Sequence, residues 1–194
     1  MQASHDPTRE PPSEWDFAPL VAELRGRRLG LGLILLGWVH LAIFAACEWL
    51  FRRGDRAAAH FLPLYVLDIA TAVAIFRRLV PRLGALGSAR LARVAVRVWL
   101  TFAILCLTSA SLNTVTGFAI DWFKISWAML GTFGFAMMAW VGHLAFLIPA
   151  VQMSLTALLI AAYPDHAYAI FGVSWLVALN ALGYLMERGR PRGA

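Results

Sequence analysis

The sequence predicts an all-α fold: a polytopic membrane protein built as a bundle of six transmembrane helices, with the N- and C-termini cytoplasmic. Three observations lead there. Hydrophobic residues make up 60% of the 194 positions and charged residues 14%, whereas a soluble domain carries about 45–50% and about 25%. With a mean hydropathy of +0.68, the chain is too apolar for a water-soluble globule or a disordered segment. The second observation is a series of long charge-poor runs. The third is an asymmetry of Arg and Lys between alternate loops.

The elements follow in order. Residues 1–28 are expected to form a disordered or interfacial N-terminal segment. Pro7, Pro11 and Pro12 stand among polar residues, while Trp15, Phe17, Leu20, Val21 and Leu24 share one helical face. That face suits a helix lying on the membrane surface; a plain extension of the first span is the alternative. No cleavable signal peptide is expected, because the first apolar run begins too late.

Residues 29–187 form the six-helix transmembrane domain, and 188–194 a basic cytoplasmic tail. A span needs about 20 mostly apolar residues. The first three fall at 29–51, 61–80 and about 94–116, with Pro63 placed in the first turn of the second, where proline is tolerated. Residues 125–163 then run 39 positions without Asp, Glu, Lys or Arg. At about 1.5 Å per residue this is nearly twice the hydrocarbon thickness, so it holds two helices. Val141-Gly142-His143 is the best place for their turn, giving 125–141 and 144–163, with Pro149 as the alternative. Tyr163-Pro164-Asp165-His166 breaks the chain again, and the last span is about 168–186.

Orientation follows from the basic residues. The N-terminal tail holds four, the first loop three (Arg52, Arg53, Arg56), the second loop six, the third Lys124, and the C-terminal tail three. Six spans with a cytoplasmic N-terminus put thirteen inside and four outside; five spans would divide them ten to seven. The three arginines of the first loop are the weak point of that count. Trp49, Phe51, Trp122, Phe123 and Trp127 fall where interfacial aromatic anchors belong.

No catalytic signature is present: there is no G-x-S-x-G, H-E-x-x-H, C-x-x-C, P-loop or G-x-G-x-x-G. Cys47 and Cys106 lie in apolar runs and read as packing residues. No haem is expected, because His40 and His143 sit at depths roughly 16 Å apart, too far for one iron. No metal is expected either. His60, His166, Asp165 and Glu48 map to the outer end without ligand spacing and read as solvated loop residues.

Ionisable groups inside a membrane are costly, and they mark either function or internal pairing. The candidates are His40, Glu48 and Asp68, with Asn113, Tyr65 and Thr71 as possible companions. One reading is a proton, cation or sensing site. The other is helix–helix glue. Depth counting places Glu48 and Asp68 near each other, roughly 6 Å apart along the bundle. Small residues, Ser109 to Ser111 and Gly131, Gly134 and Ala136, supply packing seams.

The second loop carries Arg77, Arg78, Arg82, Arg90, Arg93 and Arg97 around a Gly-rich turn. Arg90, Arg93 and Arg97 share a helical face. The arginines either anchor topology or bind anionic headgroups of membrane lipids at the cytoplasmic face, where each basic residue gains about 1 kcal/mol. Beside apolar runs, this basic balance points to lipid, and no nucleic-acid partner is expected. A protein partner or homo-oligomer is left open.

Val98-Trp99, the run AAYPDHAYAIFG at 161–172, Gly183-Tyr184 and the basic tail from Arg188 to Arg192 carry a family likeness. With these features the C-terminal half resembles the six-helix membrane region attached to eukaryotic-like Ser/Thr protein kinases of planctomycete-type bacteria. No kinase domain is present here, and no catalytic residue transfers. The resemblance implies a stand-alone module of a sensory or scaffolding kind. The expectation is therefore a non-enzymatic inner-membrane module, sensory, regulatory or scaffolding. The runner-up is a small transporter or channel subunit using His40, Glu48 and Asp68.

Overall fold

The computed structural model describes residues 29–79, 90–118, 122–142 and 144–188. The N-terminal segment 1–28, Arg82 with the Gly-rich turn, His143 and the tail beyond Arg188 lie outside these residues, as do the side chains of Arg90 and Arg93. Six α-helices make up the described fold: α1 Leu29–Arg52, α2 Ala58–Leu79, α3 Arg90–Val115, α4 Phe123–Val141, α5 Leu147–Ala162 and α6 Ala167–Arg188. Short 3-10 turns at Leu144–Phe146 and Pro164–His166 lead into α5 and α6. Five of the six, with α5 and α6 each counted together with the 3-10 turn that leads into it, are long and apolar enough to cross a membrane. The exception, α4, has 19 residues, about 28 Å, but carries Lys124, Gly131 and Gly134.

Sequence explains the helix ends. α1 and α3 stop in the same way. Gly54 and Gly117 take positive φ, +79° and +69°, the left-handed region open to glycine. In both cases the following amide reaches back five residues, Asp55 to the Leu50 carbonyl and Phe118 to the Asn113 carbonyl. The glycine amides bond to Phe51 and Thr114. This is the Schellman arrangement, which satisfies carbonyls the helix would otherwise leave open.

α2 begins three residues earlier than the apolar run indicates. Asp55 Oδ1 accepts the Ala57 N–H at 2.8 Å, and Ala58-Ala59-His60 join the helix. Pro63 is therefore the sixth residue of α2 rather than part of its first turn, with both Pro63 and Ala59 exposed. The α4–α5 break falls at Gly142, within the expected turn, and Pro149 lies inside the first turn of α5.

The helices form a ring. Each packs on its neighbour in sequence, and α6 closes on α1 in the most extensive contact of all. Glycines permit that closure. A Cβ on Gly30 would stand 2.5 Å from the Gly183 carbonyl oxygen, and one on Gly183 equally close to that of Gly30. Aromatic side chains fill the centre: Phe44, Phe61, Tyr65, Phe135, Tyr168 and Trp175 are all buried. These rings contact one another through the middle of the described bundle.

Candidate functional site

The α1–α6 closure brings carboxylates to helix starts at both ends. Glu187, near the end of α6, accepts the Leu31 N–H through Oε1 at 3.1 Å. Glu48, near the end of α1, accepts the Ala169 N–H through Oε2 at 3.2 Å. Each carboxylate thus caps the third residue of the other helix. An anion at a helix N-terminus meets unpaired amides and the positive end of the macrodipole. The two caps hold the antiparallel pair in one register.

A mid-depth polar contact lies elsewhere on α1. His40 Nδ1 and Asp68 Oδ1 are 2.6 Å apart, with side-chain exposures of 14% and 13%. His40 is about 18 Å from the Arg52 end of α1, and Asp68 about 15 Å from the Ala58 end of α2. The imidazole lies 5.4 Å from Trp175 and 6.1 Å from Phe44, centroid to centroid. Two polar groups in that setting satisfy one another, which is what an interior without water demands.

Glu48 and Asp68, expected as neighbours, are engaged separately. Glu48 lies only about 6 Å from the end of α1, and Asp68 is a turn deeper than its depth count gave, because α2 starts early. The two acids take separate partners. Asp68 pairs with His40. Glu48 Oε1 accepts from Arg52 Nε at 2.8 Å and stands 3.7 Å from His166 Nδ1. Arg52 Nη2 also lies against His166 Nδ1. Asn113 is fully buried in the last turns of α3. A 4.8 Å contact between Phe118 and Phe61 sets that helix end beside the start of α2, so Asn113 belongs to the Glu48 end of the bundle.

Several charged side chains gather at that end. Arg53 lies 3.7 Å from the Trp49 ring centroid. Phe51 meets two cations, the Arg56 guanidinium at 3.5 Å and the Lys124 ammonium at 3.8 Å. Arg56 also donates to the Phe51 and Asp55 carbonyls. Such cation–π contacts gain about 0.5–1 kcal/mol when exposed and more when desolvated, and Lys124 is buried. Below them the Tyr65 and Tyr168 hydroxyls are 2.8 Å apart. Asp55 holds His60 Nδ1 at 2.6 Å. The Ala57 amide first, then His60 and Arg56, keep the Asp55 carboxyl below its ordinary 3.8.

Three residues were undervalued by sequence reasoning. Glu187 read only as the end of a span. His166 read as a solvated loop residue, but it contacts Arg52 and Glu48. Lys124 entered only as a topology charge. The signal for Glu187 was present: an acid one helix length after a break stands where a facing helix begins. The Arg face of the second loop divides: Arg77, Arg78 and Arg97 are exposed, and the remainder fall outside the described side chains. A polar knot between α5 and α6 also went unforeseen. Gln152 Nε2 donates to the Ser174 carbonyl at 2.8 Å, and the Thr156 and Ser174 hydroxyls pair.

Comparisons with protein-family models, with curated proteins and with solved structures find no match to this chain. Its residues are therefore the source of any functional reading.

Proposed function

We propose that the protein is a non-catalytic integral membrane module of a sensory, regulatory or scaffolding kind. In this reading it resides in a bacterial inner membrane with both termini cytoplasmic. One observation carries it: the intramembrane acids are satisfied singly, Asp68 by His40 and Glu48 by Arg52 and the Ala169 amide. A translocation path needs ionisable groups lining a common route. Here the two acids sit at different depths, with Phe44, Tyr65 and Tyr168 buried among the rings beside them. A shallow groove of about 230 Å³ opens near Lys124 and Trp122, and His40, Glu48 and Asp68 are not among its lining residues.

The resemblance to kinase-associated membrane regions belongs to this proposal, as do its ligands. Anionic headgroups would meet Arg77, Arg78, Arg82, Arg90, Arg93 and Arg97 at the cytoplasmic face. Replacing Arg90, Arg93 and Arg97 by Gln should then reduce retention of acidic lipids in native mass spectrometry. Unchanged retention would leave those arginines as topology anchors. Reporter fusions at Ala194 and within 164–166 should read inside and outside respectively.

A transporter or channel subunit is the second reading, favoured by a titratable pair at mid-membrane depth. Proteoliposomes carrying an internal pH dye decide between them. The module reading expects no protein-dependent proton or cation flux under an imposed gradient. A flux that Asp68→Asn abolishes in a folded protein would replace it with the transporter.

A further inference from the structure

The geometry points to two phospholipid-headgroup sites, Trp49 with Arg53 and Tyr184 with Arg188, one in each leaflet. The α1–α6 pair holds them at a fixed separation, so that the protein prefers a bilayer of matching thickness. This goes beyond the module reading and requires only that α1 and α6 cross a membrane.

Each site is an aromatic ring followed four residues later by an arginine. Residues four apart are neighbours on a helix surface, so each arginine can reach back over its ring. The Arg53 guanidinium is 3.7 Å from the Trp49 ring centroid, and that of Arg188 is 4.7 Å from the Tyr184 centroid. Trp49 is 52% exposed and Tyr184 53%. Rings with an apolar body and a polar edge belong where hydrocarbon meets headgroups. The two arginines are exposed as well. Arg52 is committed to Glu48, and Arg56 to the Phe51 and Asp55 carbonyls. Among the described residues, no hydrogen bond or ion pair engages the Arg53 or Arg188 guanidinium. Each presents its N–H donors in a planar fork, the shape that fits two phosphate oxygens. At the edge of a bilayer the acceptor of that shape is the phosphodiester of a lipid.

The separation follows from the glycine contacts. A Cβ on Gly183 would stand 2.5 Å from the Gly30 carbonyl oxygen and 2.7 Å from Ile34 Cγ1, so Gly183 lies between Gly30 and Ile34 in depth. Because the helices run antiparallel, Tyr184 is level with about Leu31. Trp49 is eighteen residues further along α1. At about 1.5 Å per residue, the two ring positions are about 27 Å apart in depth. A hydrocarbon core is about 30 Å thick. The arginines, one turn beyond each ring, then fall in the headgroup layers. The register is fixed. Backbone contact at Gly30 and Gly183 leaves no room for a neighbouring Cβ, and the Glu48 and Glu187 caps hold both ends. A bilayer of another thickness must deform, or the bundle must tilt, at a cost that grows with the mismatch.

Native mass spectrometry of the full-length protein from phosphatidylcholine nanodiscs tests the sites. Phosphatidylcholine carries the phosphate without net charge, which separates this binding from retention of acidic lipids at Arg90, Arg93 and Arg97. Arg53→Gln and Arg188→Gln should each lower phosphatidylcholine retention about twofold, as loss of one fork of two. A phosphate-free glycolipid should be retained no better than phosphatidylcholine is by the double variant, and excess inorganic phosphate should displace no lipid. Unchanged retention in either variant, or equal retention of the glycolipid, would overturn the pair of sites. Displacement by inorganic phosphate would overturn the lipid as their occupant. The thickness match is read on the unaltered protein and needs no variant to fold. Thermal unfolding in phosphatidylcholine vesicles of increasing acyl length should peak where the hydrocarbon core is about 27 Å thick. A flat profile, or a maximum more than about 5 Å away, would overturn the fixed separation.

Discussion

Asp68 and Glu48 are both carboxylates in membrane helices, yet they are held in different ways. Asp68, at mid-depth, has a single recorded partner at 2.6 Å, and both members of the pair are nearly out of solvent. Glu48, about one turn from a helix end, has an Arg, a His and a backbone amide around it, and two of those three partners are half exposed. Mid-membrane, where no water can substitute, satisfaction is all-or-none and the partner must be built in. At the boundary several partial partners share the load and can be exchanged. The difference teaches that depth decides whether an acid is glue or an adjustable contact.

The largest effect should come from Asp68→Ala, which leaves His40 facing apolar rings. Unfolding in mixed micelles should show a loss of about 1–3 kcal/mol, the cost of orphaning a buried hydrogen-bonding group. Asp68→Asn should retain more than half of that, because its amide oxygen still accepts from imidazole. Equal losses for Ala and Asn would end the description of this pair as a hydrogen bond.

Glu48→Ala should cost less, about 1 kcal/mol, in the range for a lost helix cap. Its mark should be local: faster amide exchange at Ala169, with the middle of α6 unchanged. A global loss matching that of Asp68→Ala would erase the contrast between depth and edge. Arg52→Gln should cost least in stability, at most about 0.5 kcal/mol, since exposed pairs contribute little. That difference should shrink further in high salt.

A pH effect is expected at Asp55, in the loop outside the spans. Its folded carboxyl is held below its ordinary value, chiefly by the Ala57 amide. The stabilisation is therefore fully present above about 3.8 and is lost as the pH falls through the lowered folded value. Ala57 amide protection should fade in that acid window, and it should be absent at all pH in Asp55→Ala. Protection persisting through the acid range would mean the cap does not depend on the carboxylate.

Sequence carried much of this fold, for identifiable reasons. Thirty-nine residues without a formal charge are too long for one crossing, so the break at Gly142 was legible. The start of α2 was not, because Ala58-Ala59-His60 are weakly apolar and join the helix through the Asp55 cap. The partnership of His40 with Asp68 was also hidden, although both were singled out. Apolar patterning gives depth along a helix, but the rotation of one helix against another depends on packing. Here that packing involves backbone contact between Gly30 and Gly183, 153 residues apart in sequence. The three arginines of the first loop, awkward for a charge count, are explained by local contacts with Glu48, Trp49 and Phe51.

The central claim is that each intramembrane acid has its own partner, and a pair of double-mutant cycles measures it most directly. The first cycle combines His40→Ala with Asp68→Ala, and the second Glu48→Ala with Asp68→Ala, both read by unfolding free energy. The account predicts a coupling of about 0.5–2 kcal/mol for His40 with Asp68, and additivity within about 0.5 kcal/mol for Glu48 with Asp68. Additive His40 and Asp68 effects, or a Glu48–Asp68 coupling as large as that of the first pair, would contradict it and make the two acids parts of one shared site.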